Sequence, residues 1–321
     1  MAESPEQRNV PTQSASRGWP LFRMAGIRVS IHWSWFLVAL YEIQARRGDY
    51  SSPIWNVAEY LALFGMVLLH EFGHAFACRM TGGRADEIIL WPLGGVAFIS
   101  PPARPGALLW SIAAGPLVNA LLVPCLALLS MATADAVVDL RKLVHTVAFL
   151  NLVLLVFNIL PVYPLDGGQI LRALLWFLIG PVKSLMAASV VGILGALALG
   201  IVAWMSSGIW LGIVAAFILI RSLEGFRRAG SLSRPRHQGV HCPSCGQSPP
   251  CADLWVCDAC GRKFDPFATG AICPQCGKGF GLTSCPLCGA AHPSDSWKPT
   301  ASRDSLPIGK EEAPPSLRSG V

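Results

Sequence analysis

The stretch "LLHEFGHAFA", Leu68 to Ala77, places His70, Glu71 and His74 inside an otherwise apolar run. Ionisable groups are costly inside a membrane, and those found there usually serve a function. On a helix, His70 and His74 lie about one turn apart on one face, so two imidazole nitrogens can reach one Zn²⁺. Glu71 neighbours this face, where it can deprotonate a zinc-bound water without acting as a ligand. The stretch therefore predicts a catalytic zinc centre on a membrane helix.

The composition around this stretch is that of an integral membrane protein. Of the 321 residues, 53% are hydrophobic and only 14% are Asp, Glu, Lys or Arg, against about 25% in soluble proteins. Several runs approach the roughly 20 apolar residues that cross a bilayer. They predict about six transmembrane helices near residues 29–43, 56–79, 106–131, 143–161, 187–205 and 209–222.

The positions of Lys and Arg predict the orientation of these spans, because cytoplasmic loops carry the excess. The loops on one side hold few of them: Arg46, Arg47, Arg141 and Lys142. We therefore expect a multi-pass protein of the cell (inner) membrane with both termini in the cytoplasm. The same bias accounts for the net charge of +6, which is then weak evidence for nucleic-acid binding.

A catalytic zinc ion needs a third protein ligand, and the sequence offers several acids. Asp86 and Glu87 remain possible, but Asp166 in "LPVYPLDGG" is the better candidate, because the fourth span should reach the depth of His74 there. The glycines at 167 and 168 permit a sharp turn that can aim the carboxylate.

Two further features lie between the spans or within them. "ADEIILWPLGGVAFIS", Ala85 to Ser100, is too short and too interrupted to cross the bilayer and predicts a β-hairpin or re-entrant element. Asn119, in the third span, can bridge two helices. It can equally bind a substrate backbone or a developing oxyanion.

Taken together, HEFGH, "GPLVN" at 115–119 and "NILPVYPLDGG" at 158–168 resemble the site-2 protease family of intramembrane zinc metalloproteases. The likeness covers about residues 20–225. It implies that His70, His74 and Asp166 bind the catalytic zinc, that Glu71 is the general base, and that Asn119 helps to seat the substrate. It also implies regulated cleavage of transmembrane segments of other proteins, with the hairpin pairing with an unwound substrate strand.

The C-terminal region carries a second pattern, four CxxCG knuckles between residues 242 and 289. Each knuckle can place two thiolates on one metal. The pattern resembles double zinc ribbons, and pairing the knuckles in chain order predicts two structural zinc sites. The first would comprise Cys242, Cys245, Cys257 and Cys260, and the second Cys273, Cys276, Cys285 and Cys288.

These patterns divide the chain into five parts. We expect a disordered tail at 1–19, a metalloprotease domain at 20–225, a linker at 226–240, a double zinc ribbon at 241–289 and a disordered tail at 290–321. The ribbon region has equal numbers of basic and acidic residues before its thiolates are counted, whereas nucleic-acid binding usually needs a basic face. Docking of a cytoplasmic protein is therefore the expected role of the ribbons.

Two other readings of the sequence stay open. A membrane-surface zinc protease for quality control would use a Glu as third ligand, and Glu87 is the available candidate. A non-enzymatic membrane adaptor would present the ribbons to a partner, but such a protein has no need of Glu71 beside the two histidines.

Overall fold

A computed structural model describes residues 18–46, 48–91, 94–206 and 208–297. Six helices, α1 to α6, and a four-stranded sheet make up the N-terminal body. In chain order they are β1 (Gly18–Met24), β2 (Ile27–His32), α1 (Ser34–Ala45), α2 (Pro53–Met80), β3 (Arg84–Trp91), β4 (Gly94–Ser100), α3 (Pro105–Ala132), α4 (Val138–Ile159), α5 (Asp166–Met205) and α6 (Ile209–Leu232).

Five of these helices, α2 to α6, are long and apolar enough to cross a membrane. The helical membrane fold predicted from the composition is therefore confirmed, and the short sixth span near 209–222 belongs to the 24-residue helix α6. The first predicted span, 29–43, is wrong as a continuous helix. Its beginning lies in β2, and the 12 residues of α1 extend only about 18 Å against a hydrocarbon core of about 30 Å.

The segment formed by β2 and α1 nevertheless runs the length of α2 in the opposite direction. Near the C-terminal end of α2, Arg79 donates a hydrogen bond to the carbonyl of Ala25. Near the N-terminal end, Arg46 forms an ion pair with Glu59 at 2.7 Å. An apolar strand followed by a short helix thus takes the place of the expected first helix.

The predicted hairpin of residues 85–100 is present as β3 and β4, but it belongs to a larger sheet. The strand order is β1-β2-β3-β4, with β2 and β3 parallel and the other pairs antiparallel. Fully buried Val29 and Ile88 pack in one cluster with Val67 and Phe72 of α2. This apolar contact holds the sheet against the helix that carries the two histidines.

Helix α5 folds back on itself at Gly180, where φ is 81° and ψ is 172°. A Cβ on Gly168 would lie 2.2 Å from the backbone nitrogen of Tyr163, and a Cβ on Gly192 would lie 2.5 Å from the carbonyl oxygen of the same Tyr163. In a straight helix these two glycines would be about 36 Å apart. Residues 166–179 and 181–205 are therefore two antiparallel arms.

The C-terminal module contains two small hairpins, β5 (Trp255–Val256) with β6 (Lys263–Phe264) and β7 (Leu282–Ser284) with β8 (Ala291–Pro293). The last described residues of this module form a 3-10 turn, Ser294–Trp297, in which Trp297 is buried. The module thus extends to residue 297, past the predicted boundary at 289.

Other predicted boundaries also shift. Gly18 and Trp19, assigned to the N-terminal tail, begin β1, and α6 extends to Leu232 inside the predicted linker. The rest of that linker pairs with the ribbon, since His237 N donates to the Pro249 carbonyl at 2.9 Å. The remainder of the two predicted tails, residues 1–17 and 298–321, lies outside the described residues.

Candidate metal centre

Helix α2 presents His70, Glu71 and His74 as a buried group. The two imidazole rings are 4.7 Å apart at their centroids and nearly perpendicular, at 86°. Their Nε2 atoms lie 3.1 Å from each other. A carboxylate oxygen of Glu71 and one ligand nitrogen of each histidine all lie within 4.8 Å of one another. One turn of helix therefore places two imidazole nitrogens and a carboxylate close enough to hold a metal ion.

Asp166, the first residue of α5, completes the cluster. Its Oδ2 atom lies 3.1 Å from Nε2 of His70 and 3.3 Å from Nε2 of His74. The turn before it packs tightly, because a Cβ on Gly167 would lie 2.2 Å from the carbonyl oxygen of Ile159. Glycine at this position therefore lets the chain bring the carboxylate to the histidines, as "LDGG" predicts.

Glu87, the alternative third ligand, is engaged elsewhere in the sheet. It lies on β3 opposite Arg28 of β2, and its Oε1 atom accepts a hydrogen bond from Ser30 Oγ at 3.0 Å. The Asp166 oxygen, in contrast, lies 3.1 and 3.3 Å from the two histidine nitrogens, which is the separation of two ligands on one zinc ion. The geometry thus favours the Asp166 set of ligands over the Glu87 set.

The second nitrogen of each imidazole has a hydrogen-bond partner that fixes the ring. Nδ1 of His70 lies 2.5 Å from Oδ1 of Asn119, and Nδ1 of His74 lies 2.9 Å from the backbone oxygen of Ser111. An oxygen acceptor requires the proton on Nδ1, so each Nε2 keeps its lone pair. Such partners orient metal-binding histidines.

Helix α3 comes close enough to make these bonds because two glycines stand at the contact. A Cβ on Gly73 would lie 2.8 Å from the carbonyl oxygen of Ala114, and a Cβ on Gly115 would lie 2.3 Å from Nε2 of His74. The sequence flags Gly115 only as a neighbour of Asn119. Its steric role becomes visible once the two helices are placed side by side.

The residues of this cluster fit a zinc ion. Two ligands at 2.0–2.1 Å in a tetrahedral site are about 3.3 Å apart, close to the separations of the three donor atoms. The two lone pairs and the carboxylate oxygen face one another, and a cation between these three electron-rich atoms would offset their mutual repulsion. Two imidazoles and one carboxylate are a donor set of catalytic zinc sites.

The ribbon cysteines also form two groups of four, but not in the predicted order. One group contains Cys242, Cys245, Cys285 and Cys288, and the other contains Cys257, Cys260, Cys273 and Cys276. The pairing in chain order is wrong. The first and last knuckles form the outer group and the two middle knuckles the inner group. The two ends of the module lie side by side at the outer group, where His241 N donates to the carbonyl of Trp297 at 2.9 Å.

The sulfur separations in both groups suit a bound metal. Sγ–Sγ distances across the knuckles are 3.7 and 3.8 Å in the outer group and 3.5 and 3.6 Å in the inner group. A disulfide needs about 2.05 Å, whereas two thiolates on one zinc at about 2.3 Å are roughly 3.8 Å apart. Cys251 is exposed and belongs to neither group.

The chain is similar to known zinc metalloproteases. The model of peptidase family M50 matches residues 58–134 and 126–202, which contain the two histidines, Glu71 and Asp166. A zinc metalloprotease of Methanocaldococcus jannaschii is 34% identical over 200 residues, which cover 62% of this chain and 57% of the relative. A solved site-2 protease from the same organism is 30% identical and matches 65% of this chain and 94% of that chain, with a TM-score of 0.49.

The chain belongs to peptidase family M50. A further relative, the putative zinc metalloprotease Rip3 of Mycobacterium tuberculosis, is 30% identical over 230 residues, 64% of this chain and 58% of that protein. The chain thus spans a little over half the length of these curated relatives. The ribbon cysteines lie beyond the ranges that the M50 model matches, so the ribbon is an addition to the M50 body.

One buried residue near the M50 centre has no counterpart in the sequence-based predictions. Asn151 of α4 is fully buried and donates from Nδ2 to the backbone oxygen of Asn119 at 3.0 Å. Its sequence signal is the same as that of Asn119, an amide inside an apolar helix. The predicted role of Asn119 in seating a substrate stays a prediction, although its side chain is fully buried and hydrogen-bonded.

Proposed function

We propose that this protein is an intramembrane zinc metalloprotease that hydrolyses peptide bonds in or near transmembrane segments of other membrane proteins. The observation that carries the proposal is the convergence of three donor atoms within 3.1 to 3.3 Å of one another, beside Glu71, on helices long enough to cross a membrane. The zinc ligands would be His70, His74 and Asp166.

A zinc ion bound at these residues would polarise the scissile carbonyl and lower the pKa of the attacking water. The rest of the chemistry falls to the protein. Glu71 lies within 4.8 Å of the histidine nitrogens, so it accepts the proton of the attacking water and returns it to the leaving amine. Asn119 and the Ser111 carbonyl hold the two imidazoles in the orientation that binds metal.

The substrate class follows from the surroundings of the centre. His70, Glu71 and His74 are 4–5% exposed and lie in the second half of a 28-residue apolar helix. A membrane-spanning substrate must unwind locally to offer a peptide bond there, since helical peptide groups are shielded. We propose that this unwinding selects the substrate and that the cuts serve regulated intramembrane proteolysis.

The ribbon and the topology complete the proposal. Each group of four cysteines would hold a structural zinc, which gives one catalytic and two structural ions per chain. The Lys and Arg bias supports an inner-membrane location with the ribbon in the cytoplasm. A cytoplasmic protein that docks on the ribbon is the proposed partner, while a role in nucleic-acid binding is disfavoured by the balanced charge.

The test uses the purified full chain, loaded with zinc in detergent, and single-span membrane proteins as substrates. Mass spectrometry locates each cut. Glu71→Gln is expected to abolish cleavage while zinc is retained, because Glu71 is the base and not a ligand. Glu87→Gln is the matched control and is expected to cleave normally.

Three outcomes would contradict the proposal. Cleavage by Glu71→Gln at the wild-type rate would remove Glu71 from the mechanism. Loss of the catalytic zinc in Glu87→Gln, with cuts only outside the spans, would favour the membrane-surface protease. No zinc-dependent cleavage by the wild type, on any substrate tested, would favour the adaptor.

A further inference from the structure

A buried pair of asparagines lies beside Nδ1 of His70, on the side of the ring away from Nε2, which faces Asp166. Asn119 of α3 and Asn151 of α4 are both fully buried. Asn119 contacts His70 directly, whereas Asn151 contacts only Asn119 among the hydrogen bonds found for it. We propose that Asn151 is a positioning residue that acts through Asn119 to fix the tautomer of His70 and to direct its Nε2 lone pair at the metal. This inference rests on the proposed zinc centre.

One backbone carbonyl sets the direction of the hydrogen bonds that join Asn151, Asn119 and His70. The carbonyl oxygen of Asn119 can only accept, so the Asn151 group 3.0 Å from it must be the amide Nδ2. Oδ1 of Asn151 is then the atom that accepts from Nδ2 of Asn119, at 2.8 Å.

The same logic continues to the histidine. With its Nδ2 committed to Asn151, Asn119 must turn Oδ1 toward His70, and the distance to Nδ1 is 2.5 Å. Nδ1 therefore carries the proton, and Nε2, 3.1 Å from Asp166, is left with its lone pair. Without Asn151, the amide of Asn119 can rotate by 180° and present a donor to Nδ1. That orientation favours the tautomer that cannot bind metal through Nε2.

We call the series of hydrogen bonds from Asn151 through Asn119 to His70 the relay. A comparison with His74 shows why the relay serves His70 alone. Its Nδ1 donates directly to the backbone oxygen of Ser111, which cannot change its character as an acceptor. His70 instead depends on a side-chain amide, which has a donor and an acceptor end of nearly equal shape. A second amide is needed to select the end, and Asn151 supplies it.

The relay also gives Asn119 a role other than contact with the substrate, namely orientation of the His70 ring. Its oxygen faces His70 and its nitrogen faces Asn151, and none of the residue is exposed. Both asparagines hold the metal ligand from behind.

The experiment measures the zinc retained by the full chain in detergent after equilibration with a graded chelator. His70→Ala supplies the baseline for zinc held by the ribbon alone. Asn151→Leu, which has a similar size and no amide, is expected to weaken zinc binding at the catalytic site by about 10- to 100-fold. Asn119→Leu is expected to do the same, and the double substitution to be no worse than Asn119→Leu alone, because both residues act on one bond.

Two further variants separate positioning from packing. Asn56→Leu removes another buried amide, which donates to the Arg46 carbonyl at 3.0 Å near the far end of α2, and it is expected to leave zinc affinity unchanged. Asn151→Ala also removes the oxygen that accepts from Nδ2 of Asn119, without adding an apolar side chain of similar size, and it is expected to weaken zinc binding even if Asn151→Leu fails to fold. Excess zinc is expected to restore cleavage by the Asn151 variants.

The outcomes distinguish this inference from the proposed function. If the wild type retains no more zinc than His70→Ala, the zinc centre itself is refuted. If the wild type exceeds that baseline but Asn151→Leu and Asn151→Ala bind zinc as tightly as the wild type, the zinc centre stands and the proposed role of Asn151 is refuted, even if both variants unfold at a lower temperature.

Discussion

Gly115 provides the space that the His74 ring occupies, so the metal centre depends on a residue that contributes no ligand. Its absent side chain lets α3 approach α2 until Ser111 and Asn119 reach the two imidazoles. His70, Glu71, His74 and Asp166 are recognisable because ionisable groups in apolar sequence are rare. A steric requirement such as that of Gly115 leaves no chemical signal, and it becomes apparent only when the neighbouring helix is placed.

Gly115→Ala is expected to lower zinc affinity at the catalytic site at least tenfold, because the new methyl group would lie 2.3 Å from Nε2 of His74. The measurement is the zinc retained against a chelator, with cleavage as a second readout. Gly65→Ala is the control. Gly65 lies on α2, the helix that carries His74, and a Cβ there meets nothing within 4 Å. Zinc affinity equal to the wild type in both variants would show that the His74 ring has another position that binds metal.

At the scale of elements, the fold-back of α5 brings its second arm beside the turn that carries Asp166. Gly192 on that arm and Gly225 on α6 both approach Tyr163, and Ser222 Oγ donates to the Tyr163 carbonyl at 2.7 Å. The sequence predicts a span at 187–205 and the sharp turn before Asp166. It does not predict that the two pack together, because Gly180-Pro181 marks a break in the helix but not the direction that the next segment takes.

Gly180→Ala is expected to destabilise the protein by about 1–3 kcal/mol, since φ 81° and ψ 172° form a conformation almost confined to glycine. A Cβ there meets nothing within 4 Å, so the cost arises in the backbone alone. Thermal unfolding in detergent measures it, and Gly200→Ala, on the second arm with equally open space, is the control. An unfolding temperature unchanged from the wild type would mean that the fold-back tolerates other conformations at residue 180.

At the scale of the whole molecule, local patterns predicted the parts and failed on their connections. Five apolar helices, the hairpin at 85–100 and two groups of four cysteines follow from composition and spacing. The first span was misassigned because its apolar content was taken as the sign of a membrane helix. The alternation of apolar and polar residues in "IRVSIH" (residues 27–32) is that of a strand. The knuckle pairing failed because four identical CxxCG motifs carry no mark of their partners.

The pairing of the cysteines is nested, because the inner group lies in sequence between the two knuckles of the outer group. It predicts the number of zinc ions that one double variant retains. Cys245→Ser with Cys285→Ser removes two ligands of the same group, so it is expected to release one of the two ribbon zinc ions. Pairing in chain order would place these cysteines in different sites and release both. Metal analysis of the purified chain gives the count, with Cys251→Ser as a control that is expected to lose none.

The nested arrangement also sets the order in which the two cysteine sites of the ribbon become complete during synthesis. A ribosome makes Cys242 and Cys245 first, but their partners are the last knuckle of the module. The inner site has all four thiolates once Cys276 has emerged, whereas the outer site must wait for Cys288. The first knuckle therefore stays incomplete while the inner hairpin forms, and the closing step joins the segment that follows α6 to residues 285–297.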